Sequence, residues 1–276
     1  CLQQVNPTSE LISVNCLMNI LDQIIEHKHR EVSQRKSTTP LSELEKSTYF
    51  QRTPFSLSEF IRRKDKSGII AEFKRKSPSK GVNNANASVD RTTRGYCDAG
   101  ASGLSVLTDE KFFGGTNEDL ITARKNNSCP ILRKDFTIDE YQIAEAKAIG
   151  ADAILLIAAV LLPEQSKRLC SYAHDLGLEV LLEVHSETEL RDNSKVGADL
   201  IGVNNRDLKT FVVSTDVTKK LSALMPAGVV KVSESGISTS QAIVELRSYG
   251  YEGFLIGENF MREVEPEKAA ADFIDD

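Results

Sequence analysis

Two lysines and three glutamates stand where short apolar runs of this 276-residue chain end: Glu72, Lys74, Lys134, Glu183 and Glu234. Opposite charges gathered in a partly dry cavity tune each other's pKa values for proton transfer. Glu72 and Lys74 are two residues apart, so on a strand they share a face. Asn204, followed by Arg206, ends another run with groups that orient a ligand and pair with anions. Ser235-Gly236 and Gly257 end the last two runs. Backbone N–H groups at such loop-to-helix junctions bind phosphate. Each short signal alone describes a turn; the two together favour a phosphate site. Pro78, Phe113, Phe136, Leu155 and Phe211 line the same rim. Any one of them alone reads as core packing. Phe113 and Phe136 fall in loops, where a large ring needs a partner, and an aromatic substrate would supply one.

The elements that must position these groups are legible from the runs themselves. They cover residues 68–74, 104–107, 130–132, 153–157, 180–184, 200–203, 229–232 and 253–256. An amphipathic stretch follows each, and the repeat length suits a strand plus a crossover helix. Thr137-x-x-Glu140 and Ser186-x-x-Glu189 fit capping boxes, and Ser56-x-x-Glu59 starts a short helix over residues 57–63. Gly100, Gly150, Gly177, Gly197 and Gly250 mark helix exits. Eight such units predict an α/β fold, the (β/α)8 TIM barrel, whose chemistry sits at the C-terminal ends of the strands. A doubly wound open sheet is the alternative. It normally carries a Gly-rich first turn, and the first run here ends in Glu72-Phe73-Lys74-Arg75-Lys76 instead. Met18 opens a helical pattern with Ile20, Leu21, Ile24 and Ile25, and with charges at Glu26, Lys28, Arg30 and Glu31. The reading is a leader at 1–17 outside the fold and a single domain at 18–276. Within that domain a helical extension, 18–65, packs across one end of a barrel, 66–276.

Composition narrows the partners. Lys plus Arg number 34 against 40 Asp plus Glu, a net charge of -6. That argues against nucleic acid or an anionic membrane as the main partner. The longest apolar run, residues 153–162, is far short of the roughly 20 residues a spanning helix needs. Five cysteines without C-x-x-C spacing, and four histidines, give neither a zinc pattern nor a disulfide framework. Reduced thiols in a cytoplasmic protein are the expectation. Asn86-Ala87-Ser88 and Asn126-Asn127-Ser128 are chance matches to a glycosylation pattern.

Six stretches form one set along the chain. The first three are Ile70 to Gly81, Leu107-Thr108-Asp109-Glu110 with Phe112-Phe113-Gly114-Gly115, and Leu132-Arg133-Lys134-Asp135-Phe136. Leu182-Glu183-Val184, the stretch from Gly202 to Leu208, and Ser233-Glu234-Ser235-Gly236-Ile237 complete it. Together these motifs resemble the indole-3-glycerol phosphate synthase family. The family implies closure of 1-(2-carboxyphenylamino)-1-deoxyribulose 5-phosphate to indole-3-glycerol phosphate, with loss of CO2 and water. By resemblance Lys134 is the general acid, Glu183 the base and Lys74 a possible second acid. Glu72 holds the lysines charged, while Asn204 and Glu234 orient the amine and hydroxyl groups. Arg206 suits the carboxylate, and Ser77, Pro78, Phe113, Phe136, Leu155, Phe211 and Ser235 contact substrate. Gly236, Gly257 and the N–H of Glu258 take the phosphate. Many family members have Gly-Ser where this chain has Gly257-Glu258, so the Glu258 carboxylate is expected to point away. The resemblance implies no cofactor and no metal, and a monomer or weak homo-oligomer is expected. Another phosphate-binding barrel, like phosphoribosylanthranilate isomerase, would want an acid–base Cys and Asp at strand ends. A barrel that only binds a phosphorylated ligand is the remaining alternative.

Overall fold

The computed structural model describes residues 19–207 and 210–276. The 1–17 leader inferred from sequence lies outside them. Eight parallel strands form a closed barrel: β1 (Ile69–Phe73), β2 (Gly103–Leu107), β3 (Ile131–Lys134), β4 (Ala153–Ile157), β5 (Glu179–Val184), β6 (Leu200–Asn204), β7 (Val230–Glu234) and β8 (Gly253–Ile256). Closure comes from β1, which pairs with β8 on one side and β2 on the other. Strands β3 and β7 run two residues beyond the apolar stretches that announce them, because their polar ends still pair with neighbours: Lys134 with Leu107, and Glu234 with Asn204 and Leu255.

Alternation decides what each side chain meets. In β4, Ala153, Leu155 and Ile157 face the barrel interior, and Ile154 and Leu156 face the helical shell. Ile70, Leu132, Leu181, Leu200 and Val232 belong to the same interior cluster. Two residues further along the same strands stand Glu72, Lys134, Glu183, Gly202 and Glu234. The polar mouth is thus the next layer of the side-chain rows that form the apolar core below it.

Three helices precede the barrel: α1 (Ile20–Thr38), α2 (Leu41–Leu44) and α3 (Leu57–Arg62). Those that follow are α4 (Val89–Asp98), α5 (Glu110–Phe113), α6 (Asn117–Asn126), α7 (Glu140–Ile149), α8 (Pro163–Asp175) and α9 (Glu187–Asp192). The last are α10 (Asp216–Leu221), α11 (Ser240–Ser248), α12 (Glu258–Met261) and α13 (Pro266–Asp275). Among the described residues no helix is long and apolar enough to cross a membrane.

The extension touches both ends of the barrel, not one as the sequence suggested. Ile20, Leu21 and Ile24 of α1 line the cavity at the mouth. Val32 and Leu44 pack on Tyr141, Ala144 and Ala148 of α7. Leu57 and Ile61 of α3 join the interior cluster. Ser56 and Ser58 anchor that helix on the Glu179 carboxylate at the start of β5, their hydroxyls each 2.6 Å from it. The Ser56 cap forms as expected, accepting from the Glu59 N–H. The Thr137 box does not: Asp139 caps α7 instead, accepting from the Tyr141 N–H, so the helix starts later. Asp139 is nearer the first turn and its carboxylate is the stronger acceptor.

Candidate active site

Lys134 is the centre of the mouth. Its Nζ lies 2.8 Å from Glu183 Oε2 and 2.7 Å from Glu234 Oε2. Asn204 Nδ2 donates to the other Glu183 oxygen at 3.1 Å, and its Oδ1 accepts from Ser235 Oγ at 2.9 Å. Lys74 Nζ pairs with Glu72 Oε1 at 2.5 Å. Gly202 and Gly257 leave the space these carboxylates use. A Cβ on Gly202 would overlap Glu234, and one on Gly257 would lie 2.5 Å from Glu72 Oε1.

Burial and charge set the protonation states. Burial disfavours the Lys134 ammonium, but Glu183 and Glu234, with help from Glu72, outweigh it and raise its pKa. Burial also disfavours the Glu183 carboxylate, yet Lys134 and His185 hold it ionised, well below its ordinary range. Glu234 goes the other way. Burial, with repulsion from Glu183 and Glu72, overcomes the attraction of Lys134 and lifts it to about 7.

Around this centre lies a cavity of about 480 Å³, lined by all seventeen site residues inferred from sequence. Phe113 and Phe136 face each other with ring centroids 5.9 Å apart. Phe211 and Ser235 hold left-handed backbone, at φ 58° and 67°. One expectation fails. The Glu258 carboxylate does not point away; it faces the cavity, 2.8 Å from Arg206 Nη2 and 3.7 Å from Lys80 Nζ. Two cations converge there, and a carboxylate one residue past Gly257 is drawn to them.

Sequence reading missed two contributors. His185 follows β5, with Nε2 3.3 Å from Glu183 Oε1 and Nδ1 3.3 Å from Glu189 Oε2. The Nε2 contact is close but off the line of a hydrogen bond. Burial lowers the His185 pKa, but the two carboxylates outweigh that and lift it to about 10. Glu189, expected to close the Ser186 box, accepts instead from the His185 N–H at 2.8 Å. The available signal was the spacing: Glu183 and His185 are two apart, like Glu72 and Lys74. The second contributor is Lys28, which the sequence reading named only as one of the charges along the first helical pattern. It is only 1% exposed and pairs with Asp109 at 3.0 Å, Asp135 at 2.9 Å and Glu31 at 2.8 Å.

Residues 21–273 match the family model described as indole-3-glycerol phosphate synthase. The chain belongs to the indole-3-glycerol phosphate synthase family. The indole-3-glycerol phosphate synthase of Bacteroides thetaiotaomicron is 46% identical over 259 residues, 94% of this chain and 98% of the relative. That of Carboxydothermus hydrogenoformans is 44% identical, over 90% of this chain and 97% of the relative. Among solved structures, the N-acetylmannosamine-6-phosphate 2-epimerase of Clostridium perfringens superposes with a TM-score of 0.59 at 13% identity. It covers 80% of this chain and 96% of its own, and at that identity the likeness shows the barrel alone. Indole-3-glycerol phosphate synthases are carboxy-lyases of tryptophan biosynthesis that act on a phosphorylated small molecule.

Proposed function

We propose that this mouth closes 1-(2-carboxyphenylamino)-1-deoxyribulose 5-phosphate to indole-3-glycerol phosphate, releasing CO2 and water, with Lys134 as the general acid. The observation that carries the assignment is the Lys134 ammonium held between Glu183 and Glu234. Ring closure requires attack of a ring carbon on the carbonyl, whose oxygen must gain a proton. Lys134 donates it. In the free site Lys134 and Glu183 neutralise each other, which makes both poor partners for proton transfer. A carbonyl oxygen taking a hydrogen bond from Lys134 weakens that pair and brings both groups back toward the useful range. Glu183 then accepts the proton lost in dehydration, with Asn204 fixing its second oxygen. Lys74, held by Glu72, serves as the second acid or as a point charge for the substrate carboxylate. CO2 departs as the ring regains aromaticity, a step that calls for no cofactor.

Phe113, Phe136, Pro78 and Leu155 take the aromatic ring, with Phe211 closing the rim. Ser77 and Ser235 hold the chain of the sugar. We assign the phosphate to Gly236, Gly257 and the backbone at 258. Family pattern alone gives Arg206 to the carboxylate. Its guanidinium reaches Glu258, beside the β8 end, so we place it with the phosphate instead. The described cysteines are Cys97, Cys129 and Cys170, the first two with sulfurs 2.7 Å apart, and the cytoplasmic setting we propose rests on cysteine spacing in the sequence alone. None of the three lines the cavity, so the isomerase-like reading gains nothing here. We read residues 18–276 as one domain, divided as the sequence suggests, acting as a monomer or weak homo-oligomer.

Lys134→Met tests the assignment. Formation of fluorescent indole product should fall by roughly 10²–10⁴-fold, the usual worth of a positioned acid, with substrate affinity largely kept. Near-normal turnover removes Lys134 from the role.

A further inference from the structure

The cationic end of the cavity already holds an anion, and the protein supplies it. Three loops converge there. Arg206 follows β6, Lys80 sits in the turn between the antiparallel pieces Lys76–Ser77 and Gly81–Val82, and Glu258 follows β8. The Glu258 carboxylate lies between the two cations, 2.8 Å from Arg206 and 3.7 Å from Lys80. Its side chain is 39% exposed and that of Arg206 only 20%. The carboxylate therefore has room to swing toward solvent, while the guanidinium is held at the wall.

We propose that Glu258 is a resident anion that occupies the Arg206–Lys80 pair until the phosphate of the substrate displaces it, and so sets the affinity for phosphorylated ligands. The inference rests on the reading of this end of the cavity as the phosphate site. A singly charged carboxylate, tethered and half exposed, competes with a phosphate that carries nearly two charges and three acceptor oxygens. A dianion wins that exchange; a small monoanion, with no advantage in charge, does not. Glu258 cannot stay beside the bound phosphate, because the two repel, so displacement is part of binding. With Ser at this position Arg206 would lack this competitor, and phosphate would bind more tightly but with less discrimination between anions.

Titration calorimetry with inorganic phosphate tests this on the full chain, using Glu258→Gln and Glu258→Ser, with Arg206→Gln as the control for the site. Removing the competing pair should tighten phosphate binding roughly two- to fivefold in both Glu258 variants. Binding of 2-aminobenzoate, which carries the ring and carboxylate of the substrate without its phosphate, should not change. Phosphate binding should weaken in Arg206→Gln. Unchanged or weaker phosphate binding in the Glu258 variants, with the loss in Arg206→Gln intact, overturns the role of Glu258 and leaves the phosphate site standing. Tighter 2-aminobenzoate binding in place of tighter phosphate binding also overturns it, because Glu258 would then compete with the carboxylate. Phosphate binding that ignores Arg206→Gln overturns both the role and the reading of the site.

Discussion

Two carboxylates touch the Lys134 ammonium, and their other contacts decide which one takes up a proton. Glu183 also has the Asn204 amide and the His185 ring, so it stays ionised. Glu234 has Lys134 on one oxygen, while its buried Oε1 has no hydrogen-bond partner among the described residues. That difference accounts for a Glu234 pKa near 7 beside a Glu183 far below its ordinary value. The consequence is measurable in stability. Glu234 titrates near 4.5 when unfolded and near 7 when folded, so between those values the native state binds more protons. Stability contributed by this group is present in acid and is lost as pH rises from 4.5 through 7. Urea midpoints of wild type and Glu234→Gln should therefore diverge in favour of Gln across that window and run parallel above it. A difference independent of pH would remove the assignment. The types and spacing of these residues are visible in the chain. Their charge states are not, because they depend on neighbours brought together from four strands.

Helix α1 connects the extension to this chemistry. Lys28 holds Asp109 and Asp135 at once. Asp109 accepts from the N–H groups of Phe112 and Phe113 and so caps α5, while Asp135 accepts from the Phe136 N–H and from Thr108 Oγ1. One buried ammonium thus fixes the loops that carry Phe113, Phe136 and the residue after Lys134. Arg75, bound to Asp119 at 2.7 and 3.0 Å, ties the loop after β1 to α6 in a similar way. Lys28→Met would leave two buried carboxylates short of a counter-charge. It should destabilise the protein by about 3–5 kcal/mol, the range for breaking a buried pair from one side. It should also lower kcat/KM in protein shown to be folded, since ring contacts and general acid both lose their support. Full stability in chemical denaturation would show that the network is dispensable. Helical periodicity locates α1 and sets Lys28 four residues after Ile24, on the apolar side of the helix, without naming the carboxylates it meets there. A helical wheel shows which residues share a side, not what packs against it.

For the molecule as a whole, chemistry and stability divide between the two ends of the barrel. Leu57, fully buried, comes from a segment before the barrel and fills its interior beneath Ile70, Leu132 and Leu200. Gly103 leaves room for it: a Cβ there would lie 2.6 Å from Leu57 Cδ1. Leu57→Ala should cost about 2–5 kcal/mol, the range for a buried Leu cavity, while kcat/KM at a permissive temperature stays near wild type. Thermal unfolding paired with a turnover assay reads both. A large loss of kcat/KM in folded protein would show that the floor of the barrel also shapes its mouth. The apolar plug and the polar mouth share the same side-chain rows because of the twofold period of a strand, which carries each row from floor to rim.

That period is why the order of amino acids alone reveals so much of this protein. Apolar runs, their number and the polar residue two places past each interior position are local properties of the chain. They yield the barrel, the end that carries chemistry and the charged strand ends of the mouth, while Ser77 and the role of each residue come from the family resemblance. Three features depend on contacts between distant segments: Lys28 is buried under two loops, Glu258 turns onto Arg206, and Glu234 is the carboxylate left with an unpaired oxygen. Each is an electrostatic outcome, and charge interactions act through space between groups that the sequence keeps far apart.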